Sequence, residues 1–215
     1  MTLDIGHTPA RPGAIGASGK SEYRFNLRLA YELARALRGR GIGVSIGNEG
    51  GRNISLAERA RRLAAVDAGL VLSLHHDSVQ PIYLKTRIVG GRPRRYTDHA
   101  AGYSIFVSGL SPAFSQSNAL ARSVGAALRK AGFAPSLHHA EKIPGEGRPI
   151  LDSTLGLFRY DGLAVLRTAR VPALLFEAGV IANPADEAEL ENPATRARMV
   201  AALADGVKAF CGAGG

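Results

Sequence analysis

Short apolar runs of strand length alternate with amphipathic stretches of helical spacing along most of this 215-residue chain, and that alternation constrains its fold more than any other feature. It argues for an α/β fold in three layers, α/β/α, with a mostly parallel twisted sheet flanked by helices. Residues 3–6 read as a first strand, followed by a Gly/Pro/Ala-rich loop over 8–19 in which Ser18 or Ser21 can cap a helix. Tyr23, Leu27, Ala30, Ala34 and Leu37 then recur at helical spacing until Gly39 and Gly41 stop the run. The pattern continues with a strand over 42–46, a helix over 55–68, a strand over 70–74, a strand over 103–107 and a helix over 115–131. Residues 163–166 and 173–176 read as the last strands and 194–210 as a closing helix.

With 46% hydrophobic and 21% charged residues, the chain can fill one core, and a single domain over residues 1–215 is expected. One cysteine, Cys211, excludes a disulfide framework. The apolar runs are too short to span a membrane, and the chain as given starts directly in a strand, without the basic, apolar and cleavage regions of an export signal, so a cytosolic protein or one whose export signal has been removed is expected. A formal net charge of +9 predicts attraction to polyanions. The arginines at 35, 38 and 40, at 59, 61 and 62, and at 92, 94 and 95 are scattered with few aromatics among them, so nothing marks a nucleic-acid surface. An anionic cell wall suits the charge equally well, and a solvated basic surface with no dedicated partner suits it best when charge is taken alone.

Two stretches break the alternation. Residues 77–102 hold Pro81, Gly90, Gly91 and Pro93, and residues 135–152 hold His138, His139, Pro144, Gly145, Gly147 and Pro149. Both are expected to be long surface loops beside the carboxyl ends of the strands, where loops of that length carry function more often than not.

The chemistry-bearing residues stand at those strand ends. His7 follows the first strand in Leu3-Asp4-Ile5-Gly6-His7, and His75 follows the third in Ser73-Leu74-His75-His76-Asp77. Glu22 heads the first helix, and Glu177 ends the apolar run that begins at Val171. Alternation along a strand sends His75 and His76 to opposite faces, so at most one of them shares the face of His7. Glu177 ends a buried strand, where an ionised carboxylate is costly without a partner or a task. Two imidazoles and a carboxylate around an open position, with a second carboxylate outside, are what a hydrolytic zinc site requires.

Together these strings resemble the zinc-dependent N-acetylmuramoyl-L-alanine amidases of bacterial cell-wall turnover. That family shows Gly-His near its start, Glu about fifteen residues on, Ser-apolar-His after the third strand, and Glu-x-Gly-apolar-apolar-x-Asn near its end. Here these are Gly6-His7, Glu22, Ser73-Leu74-His75 and the string from Glu177 through Gly179 to Asn183. The likeness extends to residues 22–26 and 163–166. It implies that His7, Glu22 and His75 hold zinc and that Glu177 is the catalytic acid/base. It implies hydrolysis of the amide between N-acetylmuramic acid and the L-alanine of the peptidoglycan stem, in the periplasm or outside the cell. The sequence departs from the family in having Thr8-Pro9 after the first His, where a second Gly is usual, and His76 after His75, where a small residue is common.

His76, Asp77, His139, Arg148 and Asn183 are expected to contact substrate, with Arg148 or Lys142 suited to the stem-peptide carboxylates. A second metal on His138, His139 and Glu141 is a further reading. Peptidoglycan is the partner implied, with any activator protein left open. The competing readings are a metal-dependent peptidase or deacylase acting on another amide, and a non-catalytic module that binds peptidoglycan. Glu177 argues against the binding module, which has no use for a general acid/base at a strand end.

Overall fold

A computed structural model describes residues 1–65 and 67–213. Its elements follow the order β1 (Thr2–Ile5), α1 (Glu22–Arg38), β2 (Ser45–Gly47), α2 (Leu56–Ala64), β3 (Val71–Asp77), β4 (Lys85–Val89), β5 (Arg92–Tyr96), β6 (Ser104–Val107) and α3 (Phe114–Lys130). They continue with β7 (Ile150–Asp152), β8 (Leu157–Arg159), α4 (Ala164–Arg167), β9 (Ala173–Val180), α5 (Pro184–Glu191) and α6 (Pro193–Ala213). Seven strands form one sheet in the order β2-β1-β3-β9-β6-β8-β7. The strands β2, β1, β3 and β9 run parallel, β6 runs antiparallel to β9, β8 parallel to β6, and β7 antiparallel to β8. The sheet is therefore mixed, with its parallel half on the side that carries the histidines.

Period-two alternation sorts the two faces. Leu72, Leu74, Leu174 and Phe176 join Leu29, Leu33, Leu37, Leu120, Val124 and Leu203 in the larger core, beneath α1, α3 and α6. Val71, Ala173 and Leu175 face the other way, against Ala60 and Leu63 of α2 and Val165 and Leu166 of α4. Each fully buried Leu or Phe contributes roughly 1.5–3 kcal/mol, so the long helices anchor the first face firmly. The second face has only short cover, and it is the face on which His75, Asp77 and Glu177 fall.

The local rules that place α1 are plain. Glu22 opens it beside the positive end of the helix dipole, Ser21 occupies the cap position without a side-chain cap bond, and Gly41 turns the chain away at φ +81. In α2, Ser55 accepts from the Glu58 amide, an N-cap. That helix ends at Ala64, short of the expected residue 68, and residue 66 of the expected range lies outside the described residues.

Three expectations are corrected. Residues 163–166 are not a strand: α4 covers Ala164–Arg167, since a four-residue apolar run satisfies either period. Residues 77–102 are not structureless, because β4 and β5 pair as a hairpin through Gly90 and Gly91, both at positive φ as a tight primed turn requires. Residues 135–152 contain a helical turn at His138–Ala140 and the strand β7.

Candidate active site

The parallel register of β3 and β9 sets His75 directly opposite Glu177. His7 lies just beyond the neighbouring end of β1, in the left-handed region at φ 66. A non-glycine residue rarely adopts that conformation outside turns and functional sites. Here it follows the strand and leaves Nε2 of His7 3.0 Å from Oε2 of Glu22. Nδ1 of His75 stands 2.9 Å from Oε1 of the same carboxylate. The ligand atoms of His7, Glu22 and His75 all lie within 4.8 Å of one another.

Glu22 is only 4% exposed. Burial by itself would push its carboxyl up, but the hydrogen bonds to His7 and His75 and their charges overcome it and hold the group well below the usual carboxylate range. The Ala14 amide donates to Oε2, and Asn26, four residues along the same helix face, donates to Oε1 and to the Gly6 carbonyl. Arg59 of α2 reaches under β1, donating to the carbonyls of Ile5 and His7. Two glycines leave room: a Cβ on Gly6 would meet the His75 ring, and one on Gly13 would meet His7 and Glu22.

Glu177 contrasts with Glu22. Its Oε2 is buried with no hydrogen-bond partner among the described residues. Burial pushes its carboxyl well above the ordinary value, and the charges of Asp77 and Glu22 push it further. A carboxyl of that kind, in register with a metal-capable histidine, is poised to take up and release a proton. Beside His7 and His75 a cleft of about 280 Å³ opens between α2 and α4, with Ile54, Leu56, Leu163 and Val165 on its walls.

The residues expected to meet substrate separate into two groups. Asp77 pairs with His139 and the Arg148 guanidinium sits 3.8 Å over the Tyr160 ring, and none of the three lines the cleft beside His7 and His75. His76 and Asn183 do not face the cleft. His76 is 4% exposed on the α1 face, its Nδ1 2.7 Å from Oδ1 of Asn26, and burial pushes its imidazole down to about 3. It is a buried neutral group that orients Asn26, as alternation with His75 requires. Asn183 caps α5, accepting from the amides of Ala185 and Asp186 while donating to the Ala100 carbonyl.

Glu141, grouped with the histidines at 138 and 139 from sequence adjacency, turns away to accept from Tyr83 and pair with His99. The supporting residues Asn26, Arg59 and Ala14 were not singled out as site residues. Asn26 carried a signal, being spaced one helical turn from Glu22, whereas nothing local in the sequence distinguishes Arg59 from its arginine neighbours.

The chain matches the sequence pattern of the family described as N-acetylmuramoyl-L-alanine amidase over residues 1–209. It is 24% identical over 218 residues to N-acetylmuramoyl-L-alanine amidase AmiA of Escherichia coli (strain K12), an alignment covering 98% of this chain and 75% of that protein. It is 25% identical over 215 residues to the probable cell wall amidase LytH of Staphylococcus aureus, covering 98% of this chain and 57% of that protein. Among solved structures, an N-acetylmuramoyl-L-alanine amidase from Clostridium difficile 630 superposes with a TM-score of 0.77 at 20% identity, covering 100% of this chain and 97% of that one.

Proposed function

The chain belongs to the N-acetylmuramoyl-L-alanine amidase family, and from that membership we propose how its own residues hydrolyse the amide between N-acetylmuramic acid and the L-alanine of the peptidoglycan stem. His7, Glu22 and His75 hold a zinc ion. The donor set fits it: two imidazoles and one carboxylate converge, Glu22 is kept ionised, and glycines at 6 and 13 leave the space that side chains would fill. Zinc bound there supplies Lewis-acid polarisation of the scissile carbonyl and a water made nucleophilic near neutral pH.

The remaining work falls to the chain. Glu177 accepts the water proton through its unpartnered Oε2 and returns it to the departing L-alanine nitrogen, the step that uncatalysed amide hydrolysis finds hardest. Asn26 and the Ala14 amide hold the Glu22 carboxylate in one orientation, and Arg59 ties down the backbone on either side of Gly6. The apolar walls of the cleft lower the local dielectric beside His7 and His75, which strengthens the charge interactions there. Arg148, whose guanidinium stacks over Tyr160, meets a stem-peptide carboxylate in this reading. Residues 1–215 act as one catalytic domain on peptidoglycan in the periplasm or outside the cell.

The observation that carries this reading is the convergence of His7, Glu22 and His75 across from Glu177. Mass spectrometry of purified peptidoglycan after incubation with the protein tests it. Stem peptides beginning at L-alanine are expected, lost with chelator and restored by zinc. Release that persists after complete metal removal would refute the zinc assignment.

A further inference from the structure

We propose that Asp77, His138 and His139 form a second divalent-cation site, distinct from the His7, Glu22 and His75 set. Oδ2 of Asp77 lies 2.6 Å from Nε2 of His139 and 3.4 Å from Nε2 of His138. All three ligand atoms fall within 4.8 Å of one another. Two donors of a tetrahedral ion bound at about 2.0–2.2 Å stand roughly 3.3 Å apart. The Asp77–His138 separation already has that value, and the Asp77–His139 contact needs to open by a fraction of an ångström.

The surroundings hold both rings in place, and an ion bound at Nε2 of His139 displaces to solvent the proton that this nitrogen shares with Asp77. Nδ1 of His138 pairs with the Ser136 hydroxyl at 2.8 Å. Nδ1 of His139 donates to Oε2 of Glu146 at 2.9 Å, and Gln80 in turn donates to the other oxygen of Glu146. A metal-binding histidine characteristically has its second nitrogen held in this way by a carboxylate or other acceptor. Phe106 and Phe158 pack edge-on against the His139 ring at centroid distances of 4.9 and 5.9 Å, closing the back of the site.

A second, independent observation points to a ligand. The His138 side chain is 5% exposed, and its Nε2, aimed at Asp77, has no hydrogen-bond partner among the described residues. A buried nitrogen is rarely left so, and a cation between His138, His139 and Asp77 satisfies it. Two imidazoles and one carboxylate suit zinc, cobalt or another first-row divalent ion and not magnesium or calcium, which favour all-oxygen sets. Asp77 is the last residue of β3, two after His75, so an ion here pins the segment from His138 to Glu146 to the strand that carries one ligand of the first site.

The test is metal stoichiometry, which does not depend on turnover. Protein stripped by chelator is titrated with Co2+, with visible absorption as readout, and the bound Zn2+ of reloaded samples is measured by plasma mass spectrometry. Wild type is expected to take two equivalents, the D77N/H138Q double variant one, and the H7N/H75N double variant one. Glu146→Gln, which leaves all three ligands in place, is expected to weaken the second equivalent by about 10–100-fold. One equivalent in wild type that survives in D77N/H138Q overturns this proposal and leaves the first site standing. One equivalent lost in D77N/H138Q but kept in H7N/H75N supports it and overturns the zinc assignment at His7, Glu22 and His75.

Discussion

Replacing Gly6 by Ala separates the geometry of the site from the stability of the fold. A Cβ added there would lie 2.5 Å from both Cε1 and Nε2 of His75. Ordinary carbon contacts sit at about 3.5–4 Å, so the imidazole has to move by on the order of 1 Å. Gly6 is not among the residues at positive φ, and the backbone accepts Ala without strain. Through the unfolded chain the substitution adds about 0.4–1 kcal/mol of stability. Against this stands, in the zinc-free protein, the loss of the 2.9 Å contact between His75 and Glu22, a charge-assisted bond worth about 1.5–3 kcal/mol. The balance, read in chelator, is a net loss of about 0.5–2.6 kcal/mol, which lowers Tm by roughly 1–10 °C in a chain of this size. A 1 Å displacement at a reacting centre costs on the order of 10²-fold in rate. The expected outcome is a folded protein with kcat/KM for stem-peptide release down about 10²-fold, measured beside calorimetric unfolding. Activity within about threefold of wild type would refute the placement of His75 at the reacting centre.

Three further outcomes are expected. Glu177→Gln keeps its bound zinc while kcat falls by about 10²–10⁴-fold, the scale of a lost general acid/base; zinc lost along with activity would make Glu177 a ligand instead. Asn183→Ala removes the α5 cap and costs about 1 kcal/mol, with kcat/KM unchanged, and a large KM increase would restore Asn183 to the substrate contacts. Burial holds the His76 imidazole down at about 3, so the unfolded chain binds a proton below about 6.5 that the folded state refuses. Its stabilising contribution is complete above that pH and is lost as pH falls. In chelator, denaturant unfolding should show the stability advantage of wild type over His76→Gln shrinking by about 3 kcal/mol between pH 6.5 and 4, and a constant difference would argue against a buried neutral imidazole.

How much of this was legible in the sequence follows the range of the interactions. The apolar runs leading to His7, His75 and Glu177 predicted strands because period-two burial is written into consecutive residues, and β1, β3 and β9 stand there. The opposite facing of His75 and His76 followed from the same period. The run over 163–166 reads as a strand yet folds into α4, because four apolar residues fit strand and helix alike. The hairpin of β4 and β5 escaped because an arginine-rich ribbon, exposed along most of its length, has no apolar alternation; its signal was the Gly90-Gly91 pair. The α5 helix was announced only by Asn183-Pro184, a cap followed by a first-turn proline.

By itself the sequence determined the α/β class, the strand ends that carry His7, His75 and Glu177, and, through resemblance, the family and its reaction. These are local patterns or spacings, and they survive without knowledge of which strands are neighbours. Only the tertiary structure decided that β9 lies beside β3 in a register that opposes Glu177 to His75, and that β6 turns the sheet antiparallel beyond it. Only it joined Asp77 to His138 and His139, more than sixty residues away, and sent Glu141 elsewhere. Strand order and loop closure depend on packing between segments distant in the chain, and a pattern read along one segment holds no record of the partner it will meet.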